Sequence, residues 1–241
     1  MPLEKLSPEI IGRILAGGAG VCREAGIPVA GGHSIDVLEP IYGLVALGLV
    51  DPQEVKTNAS ARSGDVLLLS KPLGIGVLSA GIKRSLLVPA DYAEMLRWTT
   101  MLNRVGAQLA GLPGVHAMTD VTGFGLAGHL LEICRASRVA AELAAGALPI
   151  IDSARALAES GVATGASTRN WASYGEAVEL PAGAPASLQT LLTDPQTSGG
   201  LLIACAPASV AEVQAAVREV QGNEAWIVGR LVDGAARITV D

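Results

Sequence analysis

Residues 117–128 read AMTDVTGFGLAG, and they place one carboxylate, two threonine hydroxyls and three glycines within twelve positions. Ala117 and Met118 have the character of a strand end. Leu126, Leu130, Leu131 and Ile133 recur on one side of a helix that runs to about Ser137. Between them the chain stops at Asp120 and turns through Gly123 and Gly125. A strand that ends at an acid and enters a helix through glycines can hold phosphate or a metal. The glycines admit close backbone approach, the helix start offers free N–H groups, and the acid can ligate a cation. A plain tight turn is the competing reading. The same residues spell G-x-G-x-x-G at Gly123, Gly125 and Gly128, with Glu142 near the distance of about 20 residues at which a dinucleotide fold places its ribose-binding acid. Asp120 and Thr122 crowd the front of that loop, where such a strand is usually apolar. A dinucleotide-binding oxidoreductase is therefore only a minor alternative, and a parallel strand order around Asp120 would favour it.

Outward from this stretch, composition sets the limits. The chain has 241 residues, half of them hydrophobic but only 3% aromatic, so its core must be aliphatic. A net charge of −6 argues against nucleic acid as a partner. No run of 18 apolar residues suggests a membrane span, and MPLEKLSPEI has no apolar signal core. Cys22, Cys134 and Cys205 are too scattered for a disulfide framework, and the last two sit in apolar surroundings as small buried hydrophobes. A cytoplasmic protein fits these features.

Ser7-Pro8-Glu9 is a helix start, and Gly26 closes that helix near Ala25. Ile27–Ala30 and Ile41–Val50 read as strands, the second one apolar enough to need covering. Asp51–Gly64 is polar and marks a boundary, placed at 55/56. Beyond it, strands are expected at Asp65–Ser70, near Val139–Ala144, at Leu201–Cys205, Ala225–Val232 and Arg237–Val240. Helices are expected to about Leu86, over Ala90–Ala110, Ile151–Ser160 and Pro207–Val220, whereas Thr164–Tyr174 reads as polar and irregular. Strands and helices alternate without the beat of a parallel sheet, and α+β is the expected class.

Four turns combine glycine with polar groups: GGHSID at 31–36, KPLGIG at 71–76, TDVTGFG at 119–125 and DPQTSGG at 194–200. Four in one chain point toward a polyanion site. Lys71 is read either as facing a phosphate or as a solvated lysine. His33, His116 and His129 lack metal-ligand spacing and read as surface or internally satisfied. There is no G-x-x-x-x-G-K-[ST] and no G-x-S-x-G.

These turns, with EPIYGL at 39–44 and RNWASYG at 169–175, resemble the selenophosphate synthetase (selenide, water dikinase) family. The motifs occur in order and span nearly the whole chain, and MTDVTGFG with DPQTSGG is the most specific pair. The wider superfamily, which includes aminoimidazole ribonucleotide synthetase, matches them loosely. The resemblance implies a two-domain α+β architecture of that type: residues 1–55 as the end of an ATP-binding first domain, and 56–241 as a complete second domain. It implies formation of selenophosphate from selenide, ATP and water with release of phosphate and AMP, dependence on Mg²⁺, and a homodimer. Asp120 matches the family's Mg²⁺ ligand, and Gly32, His33 and Ser34 match a segment that contacts ATP across the dimer. Asn170 and Asp194 fall in family motifs without a catalytic assignment. The family's glycine-rich front segment, with its catalytic Cys or selenocysteine, its Lys and further metal-binding aspartates, is not among these residues. The chain is thus expected to lack the family's front and to be inactive on its own, either as an incomplete enzyme or as a folded binding module.

Overall fold

The computed structural model describes all 241 residues, in two units: Met1–Asp51 and Pro52–Asp241. In the first, α1 (Pro8–Ala25) begins as its sequence dictates. The Ser7 hydroxyl accepts from the Ile10 N–H, Pro8 occupies the first turn, and Gly26 ends the helix in the left-handed conformation at φ 74°. The remainder of this unit has no regular structure. Ile27–Ala30 and Ile41–Val50, both expected as strands, are exposed and pair with no strand. A strand exists through its ladder, and no segment pairs with either. The N-terminal ammonium donates to the Ile35 carbonyl at 2.8 Å, and the Leu3 N–H donates to Asp36 Oδ1 at 3.1 Å, tying the end of the GGHSID turn to the start of the chain.

The second unit runs β1 (Val66–Leu69), α2 (Ile75–Lys83), α3 (Pro89–Thr100), α4 (Val105–Ala110), β2 (Val115–Asp120), α5 (Gly125–Ser137), β3 (Ala140–Leu143), α6 (Asp152–Glu159), α7 (Gly165–Tyr174), β4 (Val178–Glu179), α8 (Ala186–Leu192), β5 (Leu201–Cys205), α9 (Val210–Gln221), β6 (Trp226–Val232) and β7 (Ile238–Val240). The strands form one mixed sheet in the order β2-β5-β1-β6-β3-β7-β4. All neighbours from β2 to β3 are antiparallel, and β3–β7 and β7–β4 are parallel. The class is α+β. Alternation along the central strands feeds two cores. Leu67, Leu69, Leu202 and Ala204 pack on one face with α2, α3 and α5–α8, while Leu68, Ile203 and Cys205 pack on the other with Val105 and Leu109 of α4 and Val213 and Val217 of α9. Burial on both faces is why VLLL and LLIAC carry no polar alternation.

Two helical expectations are corrected. Ala90–Ala110 is not one helix, because the chain leaves helical geometry at Met101 (ψ 123°) and restarts at Val105. Thr99 and Thr100 turn their hydroxyls back onto the Met95 and Leu96 carbonyls, which weakens the last turn. The freed Met101 carbonyl and the Asn103 side chain bind elsewhere in the unit. Conversely, the polar Thr164–Tyr174 stretch forms α7: the Thr164 hydroxyl accepts from the Ser167 N–H at 3.0 Å, and the buried polar groups Ser167, Asn170 and Tyr174 have internal partners.

Candidate functional site

Strand β2 carries Asp120 to the end of the sheet-edge strand and leaves it exposed, with its carboxylate in no hydrogen bond or ion pair. The loop that follows is fixed from three sides. From DPQTSGG, the Gly200 carbonyl accepts the Val121 N–H at 2.9 Å, and the Gln196 N–H donates to the Thr122 carbonyl at 3.0 Å. From α7, the Asn170 amide donates to the Gly123 and Thr193 carbonyls, both at 2.9 Å, and the Tyr174 hydroxyl donates to the Phe124 carbonyl. Gly125 completes the turn at φ 69°, and a Cβ there would stand 2.7 Å from the Thr193 carbonyl carbon, so only glycine allows the two loops to meet backbone to backbone.

DPQTSGG also closes the start of α2. Asp194 Oδ2 accepts from the Gly76 and Val77 N–H groups at 2.9 and 3.2 Å. Gln196 Oε1 accepts from Gly74 and Ile75, each at 3.2 Å, while its amide returns to Asp194 Oδ2 at 3.0 Å. Four N–H groups that could have met a phosphate are thereby satisfied within the protein. Asp194 is fully buried, and that burial raises its carboxyl to about 7 despite the hydrogen bonds it accepts.

Lys71 follows neither of its expected roles. It is neither solvated nor facing a ligand, being 1% exposed with Nζ donating to the Met101 and Ser198 carbonyls at 2.6 and 2.7 Å. Burial lowers its ammonium to about 8. Asn103, in the same break between α3 and α4, donates to the Gly199 carbonyl at 2.8 Å. Three of the four glycine turns thus use their polar groups on one another, and what they present together is the Asp120 loop. The sequence signalled the turns, but the assignment of Lys71, Asn170, Tyr174, Asp194 and Gln196 to holding them depends on contacts between residues 23 to 127 positions apart.

The fourth turn, with Gly32, His33 and Ser34, is exposed and lies in the first unit. His116 is satisfied by Asp65 at 2.7 Å, and His129 lies 3.1 Å from Thr122. All three cysteines are buried, and burial drives the thiols of Cys134 and Cys205 up to about 12 and about 11. No three His, Cys, Asp or Glu side chains gather as a metal cage. Asp120 still suits Mg²⁺, which keeps most of its waters and takes one or two carboxylates alongside phosphate oxygens. The dinucleotide reading fails on strand order: β2 pairs only with antiparallel β5, and Glu142 is held by Arg230 at 2.7 Å. No helix is long and apolar enough to cross a membrane.

Comparison with known proteins places this geometry in a family. Residues 1–50 match the model for "AIR synthase related protein, N-terminal domain", and residues 62–241 match that for the C-terminal domain. Hydrogenase maturation protein HypE of E. coli superposes with a TM-score of 0.71 at 21% identity, covering 98% of this chain and 66% of that one. A thiamine-monophosphate kinase from Stenotrophomonas maltophilia gives 0.56 at 23% identity, covering 80% and 54%. At these identities the likeness speaks for the fold. Among curated relatives, the selenide, water dikinases of Burkholderia pseudomallei, Paraburkholderia xenovorans and Rhizobium meliloti are 58%, 55% and 53% identical over 240 residues, all of this chain and 68–69% of theirs. With both domain models matched in order and more than half its residues shared along its full length with these enzymes, the chain belongs to the selenide, water dikinase family.

Proposed function

We propose that these residues serve ATP-dependent formation of selenophosphate from selenide and water, with release of phosphate and AMP, as the names of the relatives imply. The observation that carries the site assignment is Asp120: an exposed carboxylate with no internal partner, at the end of β2 where the chain enters a loop held by DPQTSGG and α7. Phosphoryl transfer of this kind depends on positioning and on neutralising charge around the phosphates. In this reading Asp120 holds Mg²⁺, which would draw phosphate oxygens to the loop and offset their charge. The protein's own contribution is to keep the carboxylate in place. Residues 1–55 belong to the ATP-binding domain and 56–241 to the second domain. Gly32, His33 and Ser34 contact ATP in a cytoplasmic homodimer, where backbone N–H groups and a hydroxyl at a glycine turn suit phosphate.

Titration of ATP with Mg²⁺ into the wild-type chain and Asp120→Asn, followed by calorimetry, tests the assignment. Asn keeps the shape and removes the charge, so Mg²⁺-dependent affinity is expected to fall about tenfold or more while Mg²⁺-free binding is unchanged. Equal affinities with a lower melting temperature would make Asp120 a structural residue only.

None of the three cysteines can handle selenide, since all are buried and the thiols of Cys134 and Cys205 resist ionisation. The family's reactive Cys or selenocysteine has no counterpart among these residues. The 241-residue chain assayed alone is therefore expected to release no AMP in response to selenide. Selenide-dependent AMP formation would mean that the handling group lies elsewhere in these residues.

A further inference from the structure

Lys71 carries a charge that no carboxylate of the chain pairs with. Its buried Nζ donates to the Met101 and Ser198 carbonyls at 2.6 and 2.7 Å, with Ser198 Oγ and the Trp98 carbonyl at 3.4 and 3.5 Å, and it forms no ion pair. With its ammonium lowered only to about 8, it stays charged at neutral pH. A buried cation held by neutral dipoles alone is costly, and it leaves a positive field around the loop it grips.

That loop is Thr197–Gly200. Ser198 takes the left-handed conformation at φ 50°, which is uncommon for a residue with a side chain and recurs at ligand-binding sites. Lys71 draws the Ser198 carbonyl inward, and Asn103 draws the Gly199 carbonyl at 2.8 Å. A trans peptide group points its N–H opposite to its carbonyl, so the Gly199 and Gly200 N–H groups turn away from Lys71 and Asn103. Neither makes a hydrogen bond within the chain, nor do the N–H groups of Thr197 and Ser198. Gly199 and Gly200 are buried, where an unpaired N–H is rare in a native fold. Thr197 and Ser198 are exposed and open the loop to solvent. Successive N–H groups around a bend with a left-handed residue form a concavity that takes anions. The donors gripping the two carbonyls also polarise their peptide groups, which strengthens the N–H on the far side of each.

The loop lies against the turn that follows Asp120. The Gly200 carbonyl accepts the Val121 N–H at 2.9 Å, the Gln196 N–H donates to the Thr122 carbonyl at 3.0 Å, and a Cβ at Gly199 would run into the Val121 carbonyl oxygen. We propose that Thr197–Gly200 is a seat for phosphate oxygens, with the four backbone N–H groups as donors and Lys71 as the charge behind them. This rests on the reading of the Asp120 loop as a phosphate-transfer site, and adds to it the groups that meet the phosphate rather than the metal.

The test follows the backbone amides of the intact ¹⁵N-labelled 241-residue chain by NMR while ATP, and separately inorganic phosphate, is added in metal-free buffer. The amide protons of Thr197, Ser198, Gly199 and Gly200 are expected to move downfield and saturate, in Asp120→Asn as in wild type. Movement with ATP alone assigns the seat to the nucleotide, and movement with inorganic phosphate alone assigns it to released phosphate. Lys71→Met is expected to weaken the binding about tenfold, and binding like wild type would remove Lys71 from the seat. Should that variant fail to fold, the wild-type amides decide. If neither anion moves the four amides, the present inference falls, even where Mg²⁺-dependent ATP binding still requires Asp120. If the amides move but added Mg²⁺ tightens ATP binding equally in wild type and Asp120→Asn, the reading of Asp120 falls and the seat stands.

Discussion

Asp194 is where a single residue is most exposed to measurement. Its carboxyl is pushed up by burial from 3.8 to about 7, so between those values the folded chain retains a proton that the unfolded chain has released. Stability contributed at this position is thus greatest at low pH, falls as pH rises from about 4 to about 7, and levels off above. Asp194→Asn removes the proton and keeps an acceptor for the Gly76, Val77 and Gln196 donors. The Oδ1 position, which has no partner in the wild type, would carry the amide nitrogen. Melting curves across this range are expected to favour the variant progressively as pH rises, by an amount on the order of a few kcal/mol at neutrality. Parallel curves would show that the carboxylate is already ionised in the fold. A glycine at position 76 belongs to the same arrangement, since a Cβ there would land on Asp194 Oδ1.

At the scale of elements, α7 decides how firmly the Asp120 loop is held. Asn170→Ala removes the donor shared by the Gly123 and Thr193 carbonyls, and a cost of about 1–3 kcal/mol is expected in denaturant unfolding. Asn170→Asp has nearly the same shape but sets a charge against two carbonyl oxygens, so it is expected to be worse than Ala at pH 7. If the Asp variant were as stable as wild type, α7 would not be gripping the loop through this side chain. The same helix marks a limit of reading sequence. Thr164–Tyr174 looked irregular because Ser167, Asn170 and Tyr174 form its inward face, and hydrophobic periodicity cannot register a polar face that is buried. Helix α1, the central strands and the strand–turn–helix around Asp120 were legible because their signals are local: a cap, an apolar run, glycines beside an acid. The break after Thr100 was legible only in hindsight from two adjacent threonines, and the interlock of KPLGIG with DPQTSGG was not legible at all. Lys71 illustrates why: nothing within its own neighbourhood indicates that its acceptors are Met101 and Ser198. The strands expected at Ile27–Ala30 and Ile41–Val50 fail for the opposite reason, since local propensity is present and pairing is not.

At the scale of the whole molecule, the two units differ in what holds them. Pro52–Asp241 has two apolar cores on a seven-stranded sheet, whereas Met1–Asp51 buries a single apolar side chain of α1, Cys22. Side chains such as Ile10 and Leu15 on α1, and Val45, Leu47 and Leu49 further on, stay exposed. Local opening energies follow the density of buried apolar contacts and of paired backbone, so the first unit opens with little free energy and the second opens only with its sheet. Glu54, exposed just after the division, gives a protease specific for glutamate a place to cut. Within the first unit it has Glu4, Glu9, Glu24 and Glu39, all also exposed. Limited digestion is therefore expected to erase the first 54 residues early and leave one lasting fragment beginning at Val55, identifiable by its mass. That fragment should melt in a single transition close to that of the intact chain, because the sheet, both cores and the loop interlock around Asp120 lie wholly within it. Loss of the β6–β7 region at the same rate as the first unit, or a fragment that no longer melts cooperatively, would mean that the second unit depends on the first for its fold.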